Sequence, residues 1–483
     1  MELRAFTPLR APGSSRFVAI GLAVFICAAV IRIAGGWNDL WLDEIWTLDI
    51  AGGLSSPLQV FTGVHHDNNH YLNTLWVYAA GDRGNWFGYR VPSLIAGIAT
   101  VGIAASIGRR RSGVTALFAM AVVGASFPLV LYASEARGYA ASVFFALLCF
   151  DLLERQMQAG GRGTAAGYAV AAILGLVSHL MFASVVLAGL AWTLERIHRE
   201  QWPLRKSLVD LALCHLPPLA ALALLYVIDI RYISVGGGTT TTSWIDSYGT
   251  ALAWSLGAPM DPRAQLVASI LATVVLLSGL GLLARERHDA RLFCVGVILV
   301  FPVSIALSSG SNIAYPRYFL LAIAFLVLLL GFVLATLFER GGWRRVVACV
   351  ALAGFLFANG LHVAQLLRHG RGRPTEVLQL LAERSPTRTI VVGGDHDFRI
   401  GTVLAFHARG LPASRSLEYR PRDAWPPEGP EWVITSREPL GPLVAPAAEI
   451  RDAAGHRYAL EAIFPAAALS GIHWIVYRNV TRP

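Results

Sequence analysis

From residue 16 to about residue 366 the sequence is a succession of apolar stretches joined by short polar or basic connectors. Each stretch is close to the ~20 residues that carry a helix across a bilayer. That pattern leaves few folds open. Of 483 residues, 55% are hydrophobic and 15% charged, whereas a soluble chain of this length divides into two or three domains with far more charge. For most of the chain the membrane is the expected solvent.

The formal net charge of +9 raises a nucleic-acid partner, and its distribution removes the need for one. Basic residues sit in alternate connectors: Arg4, Arg10 and Arg16; Arg109, Arg110 and Arg111; Arg155 and Arg162; Arg196, Arg199, Arg205 and Lys206; Arg285, Arg287 and Arg291; Arg340, Arg344 and Arg345. Retention of Lys and Arg on the cytoplasmic side produces this alternation. With those connectors cytoplasmic, about eleven spanning helices are expected, at 16–36, 91–108, 114–133, 140–153, 164–181, 182–197, 207–229, 264–284, 292–308, 318–337 and 345–366. The first is read as a retained helix, because no convincing cleavage site follows it. Between the first two lies a long external loop, 37–90. Its segment 70–82 is apolar but too short to span, and reads as a helix in the membrane interface with its aromatic rings at headgroup level. All five cysteines, Cys27, Cys149, Cys214, Cys294 and Cys349, fall inside apolar stretches, which offers neither a disulfide framework nor zinc spacing.

After residue 366 the composition turns Pro-rich, charged and alternating. Thr375–Arg384 reads as a helix, and Thr389–Val392, Trp432–Thr435 and Ile472–Val476 as strands. The expected architecture is a polytopic α-helical membrane protein, 1–366, with a small extracytoplasmic α/β domain, 367–483. Gly393-Gly394-Asp395 lacks the full spacing of a dinucleotide fingerprint and reads as a structural turn. Asn479-Val-Thr481 formally matches a glycosylation acceptor and reads as a chance match.

The external loop opens with Trp37-Asn-Asp-Leu-Trp-Leu-Asp43-Glu44-Ile-Trp46. Two adjacent carboxylates among tryptophans at a helix end are costly beside hydrocarbon without partners, which marks them as functional candidates. Further on, His65-His66-Asp67-Asn68-Asn69-His70 has the residue types for a metal or a proton shuttle; loop structure held by side-chain hydrogen bonds is the equal alternative. Glu135-Ala-Arg137-Gly-Tyr139 and Asn312-Ile-Ala-Tyr315-Pro-Arg317-Tyr318 each put an arginine among tyrosines at the external boundary, against the charge bias. Such residues anchor interfaces, and a guanidinium also grips phosphate bidentately.

Leu42-Asp43-Glu44, the Asp67-Asn-Asn-His70-Tyr-Leu-Asn-Thr-Leu-Trp run, Tyr89-Arg90-Val-Pro92-Ser93-Leu-Ile-Ala-Gly97 and Glu135-Ala-Arg137-Gly-Tyr139 together resemble the C-type (GT-C) glycosyltransferase superfamily. The resemblance covers about residues 16–340. It is closest to the branch of protein mannosyltransferases and aminoarabinose lipid A transferases, although His70-Tyr71-Leu72 stands where many members have two prolines after the histidine. It implies an inner-membrane enzyme that takes a sugar from a polyprenyl-phosphate donor on the extracytoplasmic side and passes it to a hydroxyl of a glycan, lipid or protein, with inversion. Carried onto this chain, Asp43 is the expected base and Glu44 its neighbour; Arg137, Arg317, Tyr318 and His70 are expected at the donor phosphate. Glu135, Tyr139, His66, Asn69 and Arg90 are expected to contact substrate. Acids and histidines of the first loop permit a divalent cation without demanding one.

A lipid-linked-sugar transporter or flippase is the first alternative. Such folds carry charged or broken helices near mid-membrane, often in repeated halves; here Arg32 and Asp229 sit near helix ends, His179 near an external end, and no repeat is evident. A non-catalytic envelope scaffold, with the tail as its binding element, is the second.

Overall fold

In a computed structural model of the chain the described residues are 14–82, 86–233, 243–286, 289–308, 315–441 and 443–481. Arg4, Arg10, Arg287 and Asn312 lie outside them. Seven helices are long and apolar enough to cross a membrane: Ser15–Gly35, Phe87–Arg109, Leu180–Glu200, Leu204–Tyr232, Pro262–Leu283, Pro316–Glu339 and the one that starts at Gly342. An eighth span results if Gly113–Ala125 and Phe127–Ala133, bent by 61°, are taken together. The count of eleven is not reached on length and hydropathy, because three of the expected stretches fall short. Tyr139–Ala159 carries Asp151, Glu154 and Arg155, and Arg162–Ser178 and Arg291–Ser304 are shorter apolar helices.

Burial sorts these helices. Pro316–Glu339 is enclosed along most of its length and packs on Gly113–Ala125, Pro262–Leu283 and Gly342–His369. The outer helices leave large apolar side chains uncovered, such as Val18 at 69%, Val350 at 66% and Phe357 at 69% exposure. Apolar faces of that extent suit lipid. The protein is a polytopic helical membrane protein with a small C-terminal sheet.

The bent pair explains a buried charge. Pro128 has no N–H to offer the carbonyl of Gly124, so the helix breaks at Ser126. Arg32, fully buried in the first helix, donates to Gly124 O at 2.9 Å and Val123 O at 3.0 Å. On the far side of the break Asn359 accepts the Phe127 N–H at 2.8 Å. Groups orphaned by the proline are thus satisfied by neighbouring helices, as the hydrocarbon setting requires.

At one end of the bundle the basic connectors meet one another. Arg110 pairs with Asp151 and Glu154, Arg111 with Glu286 at 2.6 Å and Glu154 at 3.4 Å, and Arg199 with Asp289 at 3.2 Å. The opposite end carries the long first connection and the tail. That connection is far more ordered than a loop: it contains helices Leu42–Gly52, Gln59–Thr62 and Tyr71–Ala80. The last matches the expected interfacial segment and packs on Leu42–Gly52 and Phe87–Arg109, with Trp76 donating to Gly88 O at 3.1 Å.

The tail is an α/β unit around one six-stranded sheet. Its strands are β1 Thr389–Gly394, β2 Ser416–Tyr419, β3 Trp432–Arg437, β4 Glu449–Arg451, β5 Arg457–Phe464 and β6 His473–Asn479, in the order β2-β1-β3-β6-β5-β4. β1 runs parallel to β2 and β3; β3, β6, β5 and β4 are antiparallel. Helices Pro374–Arg384 and Asp397–His407 pack on it. Gly393 and Gly394 end strand β1, paired with Val433 and Ile434 of β3, so the expected turn starts only at Asp395. A Cβ at Gly393 would meet the Trp425 ring at 2.6 Å, and Asp395 accepts from Ser436 N at 2.9 Å and Oγ at 3.0 Å.

The core of the tail does not stop at residue 367. Ile390, Val392, Trp432, Ile434 and Trp474 share one buried cluster with Leu40, Leu42, Ile45, Val77, Tyr89 and Ala136. Polar contacts cross the same boundary. His407 Nε2 lies 2.9 Å from Leu40 O, and Thr375 N–H donates to Asp39 at 2.9 Å. Buried Arg371 reaches Asn38 at 2.7 Å, Ser134 at 3.0 Å and Leu131 O at 3.1 Å. Its path is kept open by Gly372, at φ 112°, where a Cβ would lie 2.1 Å from Ile472 O.

Candidate active site

Every residue of the turn 134–138 is tied to a different element. Ser134 Oγ accepts from Arg371, and Glu135 Oε1 accepts from Ser470 Oγ at 2.5 Å and Arg371 Nε at 3.3 Å. The Ala136 N–H donates to Glu44 Oε1 at 2.7 Å, and its carbonyl accepts from Asn73 at 2.6 Å. Arg137 O accepts from Ser93 Oγ at 2.9 Å, and the Gly138 N–H donates to His70 Nδ1 at 2.9 Å. A Cβ at Gly138 would sit 1.8 Å from Ser178 O, so only glycine lets the turn pass that backbone. A backbone held at so many points fixes where the Arg137 side chain emerges.

Arg137 emerges against Asp43. Its Nη1 lies 2.6 Å from Asp43 Oδ2 and its Nη2 2.8 Å from Asn68 Oδ1. Arg317, from the start of the central helix, approaches the same Oδ2 at 3.3 Å. Its guanidinium lies 4.4 Å from the Tyr315 ring centroid and 5.8 Å from that of Trp41, and Arg137 lies 4.9 Å from that of Tyr139. Two guanidiniums thus face one carboxylate, a local excess of one positive charge.

These groups line a cavity of about 470 Å³, within the size range of small-molecule sites. Asn68, Asn69, His70, Tyr139, His179 and Tyr318 also line it, and the tail closes it with His396, Phe398, Arg399, Glu438, Leu469 and Ser470. Burial, reinforced by nearby Arg137, holds the His70 imidazole well below its ordinary pKa. It therefore stays neutral, as its role as acceptor for the Gly138 N–H requires.

The structure brings Asp43, Arg137, Arg317, Tyr318, His70, Tyr139 and Asn69 together at the cavity. Glu44, expected beside the base, and three expected substrate contacts, Arg90, Glu135 and His66, lie elsewhere. Glu44, fully buried, takes a paired interaction from Arg90 at 2.8 and 2.6 Å. Burial alone would raise its pKa, but the charge and hydrogen bonds of Arg90, with Arg371 and the Ala136 N–H, hold it below the usual range. Arg90 also donates to the carbonyls of Gly36, Asn38 and Asp39 at 2.5–2.9 Å and is likewise fully buried. Glu135 is consumed by Arg371 and Ser470, with its pKa raised by burial against the partial offset of Arg371. His66 lies against Trp46, with 4.3 Å between ring centroids and planes tilted by 58°, and accepts the Asn68 N–H at 3.0 Å.

The sequence reading missed several participants. Asn68 stood in a quoted motif, and its amide now bridges Arg137 to Asp43 O (3.0 Å). His179 packs on His70 and Tyr139 at 4.7 and 4.6 Å between ring centroids, a position a lone histidine between apolar stretches does not announce. Arg371 is one of several basic residues after the last span, with nothing local to single it out. Among the described residues no three His, Cys, Asp or Glu side chains group closely enough to hold a metal ion; the first-loop histidines engage instead in hydrogen bonds, His65 with Asp229 at 2.5 Å.

No protein-family model matches the chain. No curated protein matches it either. Solved structures do: ArnT from Cupriavidus metallidurans bound to undecaprenyl phosphate, at 13% identity and TM-score 0.49, covering 98% of this chain and 99% of that one. The same protein in its apo state matches at 14% identity and TM-score 0.47, covering 97% and 98%. Arabinosyltransferase EmbB from Mycobacterium smegmatis matches at 15% identity and TM-score 0.43, covering 84% of this chain and 44% of that one. The functional reading rests on the residues of the cavity itself.

Proposed function

We propose that this protein transfers a sugar from a polyprenyl monophosphate to an acceptor hydroxyl, with Asp43 as the base and Arg137 and Arg317 at the phosphate. One observation carries the reading: a single carboxylate shared by two arginines in a cavity at a helix end. In the reaction the acceptor oxygen attacks the anomeric carbon while its proton passes to Asp43. The bond from that carbon to the phosphate oxygen breaks, and the electron pair leaves with the phosphate. Positive groups already in place lower the cost of that developing charge, and a positioned carboxylate typically contributes ~10²–10⁴-fold. A single displacement of this kind inverts the anomeric carbon.

The arginines' present partners support the same cycle. Both guanidiniums hold Asp43 before a donor is bound. A phosphate competes for them, and the Nε–H groups of Arg137 and Arg317, buried and unpartnered among the described residues, are donors that its oxygens can satisfy. Asp43 is thereby freed of its guanidinium contacts as the donor arrives. Glu44 and Arg90 act in this reading as positioning residues, through Ala136. The basic connectors gather at the end opposite the cavity, which by the positive-inside rule supports a cavity and tail on the extracytoplasmic side of the inner membrane.

The test is turnover by purified protein in lipid nanodiscs, offered a panel of polyprenyl-phosphate hexoses and pentoses with membrane-extracted acceptors. Release of polyprenyl monophosphate coupled to glycosylated product is expected. Donor translocation across the bilayer without covalent transfer would replace this reading with the transporter.

A further inference from the structure

Trp46 lies one turn beyond Asp43 on helix Leu42–Gly52, so the two side chains share a face about 5–6 Å apart at Cβ. The Trp46 ring meets Phe398 of the tail edge-on, with 5.2 Å between centroids, and backs onto His66 at 4.3 Å. Phe398 is 48% exposed, although it sits at the start of a helix whose Ile400, Val403 and Leu404 are buried. Its ring is turned to the cavity, not to the tail's core. Arg399 and Glu438 follow along the same wall, paired at 2.6 Å, and both line the cavity.

Charge divides this cavity in two. Beside Asp43 the arginines leave a positive excess suited to phosphate. On the tail side Arg399 is neutralised by Glu438, so that wall combines apolar aromatic surface with fixed donors and acceptors at no net charge. We propose that Trp46 and Phe398 seat the acceptor as a neutral sugar ring, with the Arg399–Glu438 pair reading its hydroxyls. A pyranose fits this wall because it offers an apolar C–H face and a rim of hydroxyls that both donate and accept. A ring against Trp46 has one hydroxyl within reach of Asp43, a single helical turn away. Among the described residues a phosphorylated or carboxylated acceptor finds no free cation on that wall, and a serine or threonine side chain presents no apolar ring face. The proposal rests on the transfer reading and narrows its acceptor to a carbohydrate.

The test is saturation-transfer NMR on the full chain in nanodiscs, with methyl α-D-mannopyranoside, methyl β-D-galactopyranoside, glucose 1-phosphate and acetyl-threonine amide as probes. Decaprenyl phosphate binding is measured in parallel. Saturation is expected on the ring C–H protons of the neutral glycosides, falling about threefold or more in Phe398→Ala and in Trp46→Leu, as expected from the loss of one aromatic contact. Decaprenyl phosphate should bind wild type and Phe398→Ala equally, which shows that the variant is folded. Equal glycoside saturation in wild type and both variants overturns the proposal. So does preference for the threonine amide or the sugar phosphate while decaprenyl phosphate still binds. Loss of decaprenyl phosphate binding in the wild type would instead remove the transfer reading, and this inference with it.

Discussion

Asp43 and Glu44 are neighbours in the chain and face opposite ways: Asp43 opens to the cavity between Arg137 and Arg317, while Glu44 is sealed against Arg90. A single residue step, about 100° around the helix, separates the carboxylate in the cavity from a structural one. Glu44 accepts the Ala136 N–H, and the next residue is Arg137, so the buried pair sets the position of an arginine it never touches.

That division predicts different failures. Glu44→Ala leaves Arg90 charged and unpaired in the interior, a loss of about 3–5 kcal/mol by analogy with other broken buried pairs. Thermal unfolding in detergent should show a large drop in midpoint for Glu44→Ala and little change for Asp43→Asn. Equal midpoints for the two would place Glu44 outside the scaffold.

Gly138 offers a cleaner probe of the turn. Gly138→Ala adds one methyl, which meets Ser178 O at 1.8 Å, and overpacking of this kind costs about 1–3 kcal/mol while the backbone shifts. Donor affinity should fall with it, because Arg137 moves. Unchanged donor binding by the folded variant contradicts the positioning account.

Acid should destabilise the protein through its buried histidines. Burial first, then Arg137, pushes His179 down to about 3, whereas in the unfolded chain it takes up a proton near ~6.5. Below ~6.5 the unfolded state therefore binds more protons, so the His179 contribution is complete above that pH and is lost progressively towards about 3. The slope reaches at most ~1.4 kcal/mol per pH unit for one group. His179→Asn keeps an acceptor for the Met181 N–H, bonded at 3.2 Å in the wild type, without titrating. Melting curves between pH ~7 and ~4 should fall less steeply for the variant, and parallel slopes would contradict the assignment.

Much of this was legible in the sequence because hydrocarbon leaves few choices. Apolar runs gave helices within a few residues of their ends, and Thr389–Val392 and Trp432–Thr435 emerged as strands β1 and β3. The first connection was harder. Leu42–Gly52 is a short helix in which Asp43, Glu44 and Thr47 are buried and Asp49 is exposed, so its polar residues do not mark one outer face. Arg90 and Glu135 read as substrate contacts, and Glu44 as the base's catalytic neighbour, because a buried ion pair and a binding site have the same residue types; only the third dimension shows which charges are already spent. Arg371 and Phe398 act through contacts far along the chain, for which one sequence has no local signal.

The joint between tail and bundle carries its own prediction. Arg371→Met removes bonds to Asn38, Ser134, Leu131 and Ser470 and leaves Glu135 without its cation. Limited proteolysis should then release the tail from a bundle that is still inserted, whereas Arg373→Met, at an exposed pair with Glu376, should behave as wild type. Equal resistance of the two variants would show that the joint does not depend on Arg371.

In the proposed reaction Asp43 takes the acceptor's proton while Arg137 and Arg317 hold the phosphate. It is tested most directly by Asp43→Asn in nanodiscs, with donor binding and sugar transfer measured on the same sample. Transfer should fall by at least ~10²-fold, with donor bound as tightly as by wild type or more so, since the arginines are released. Transfer at the wild-type rate, or a loss confined to donor binding, would contradict it.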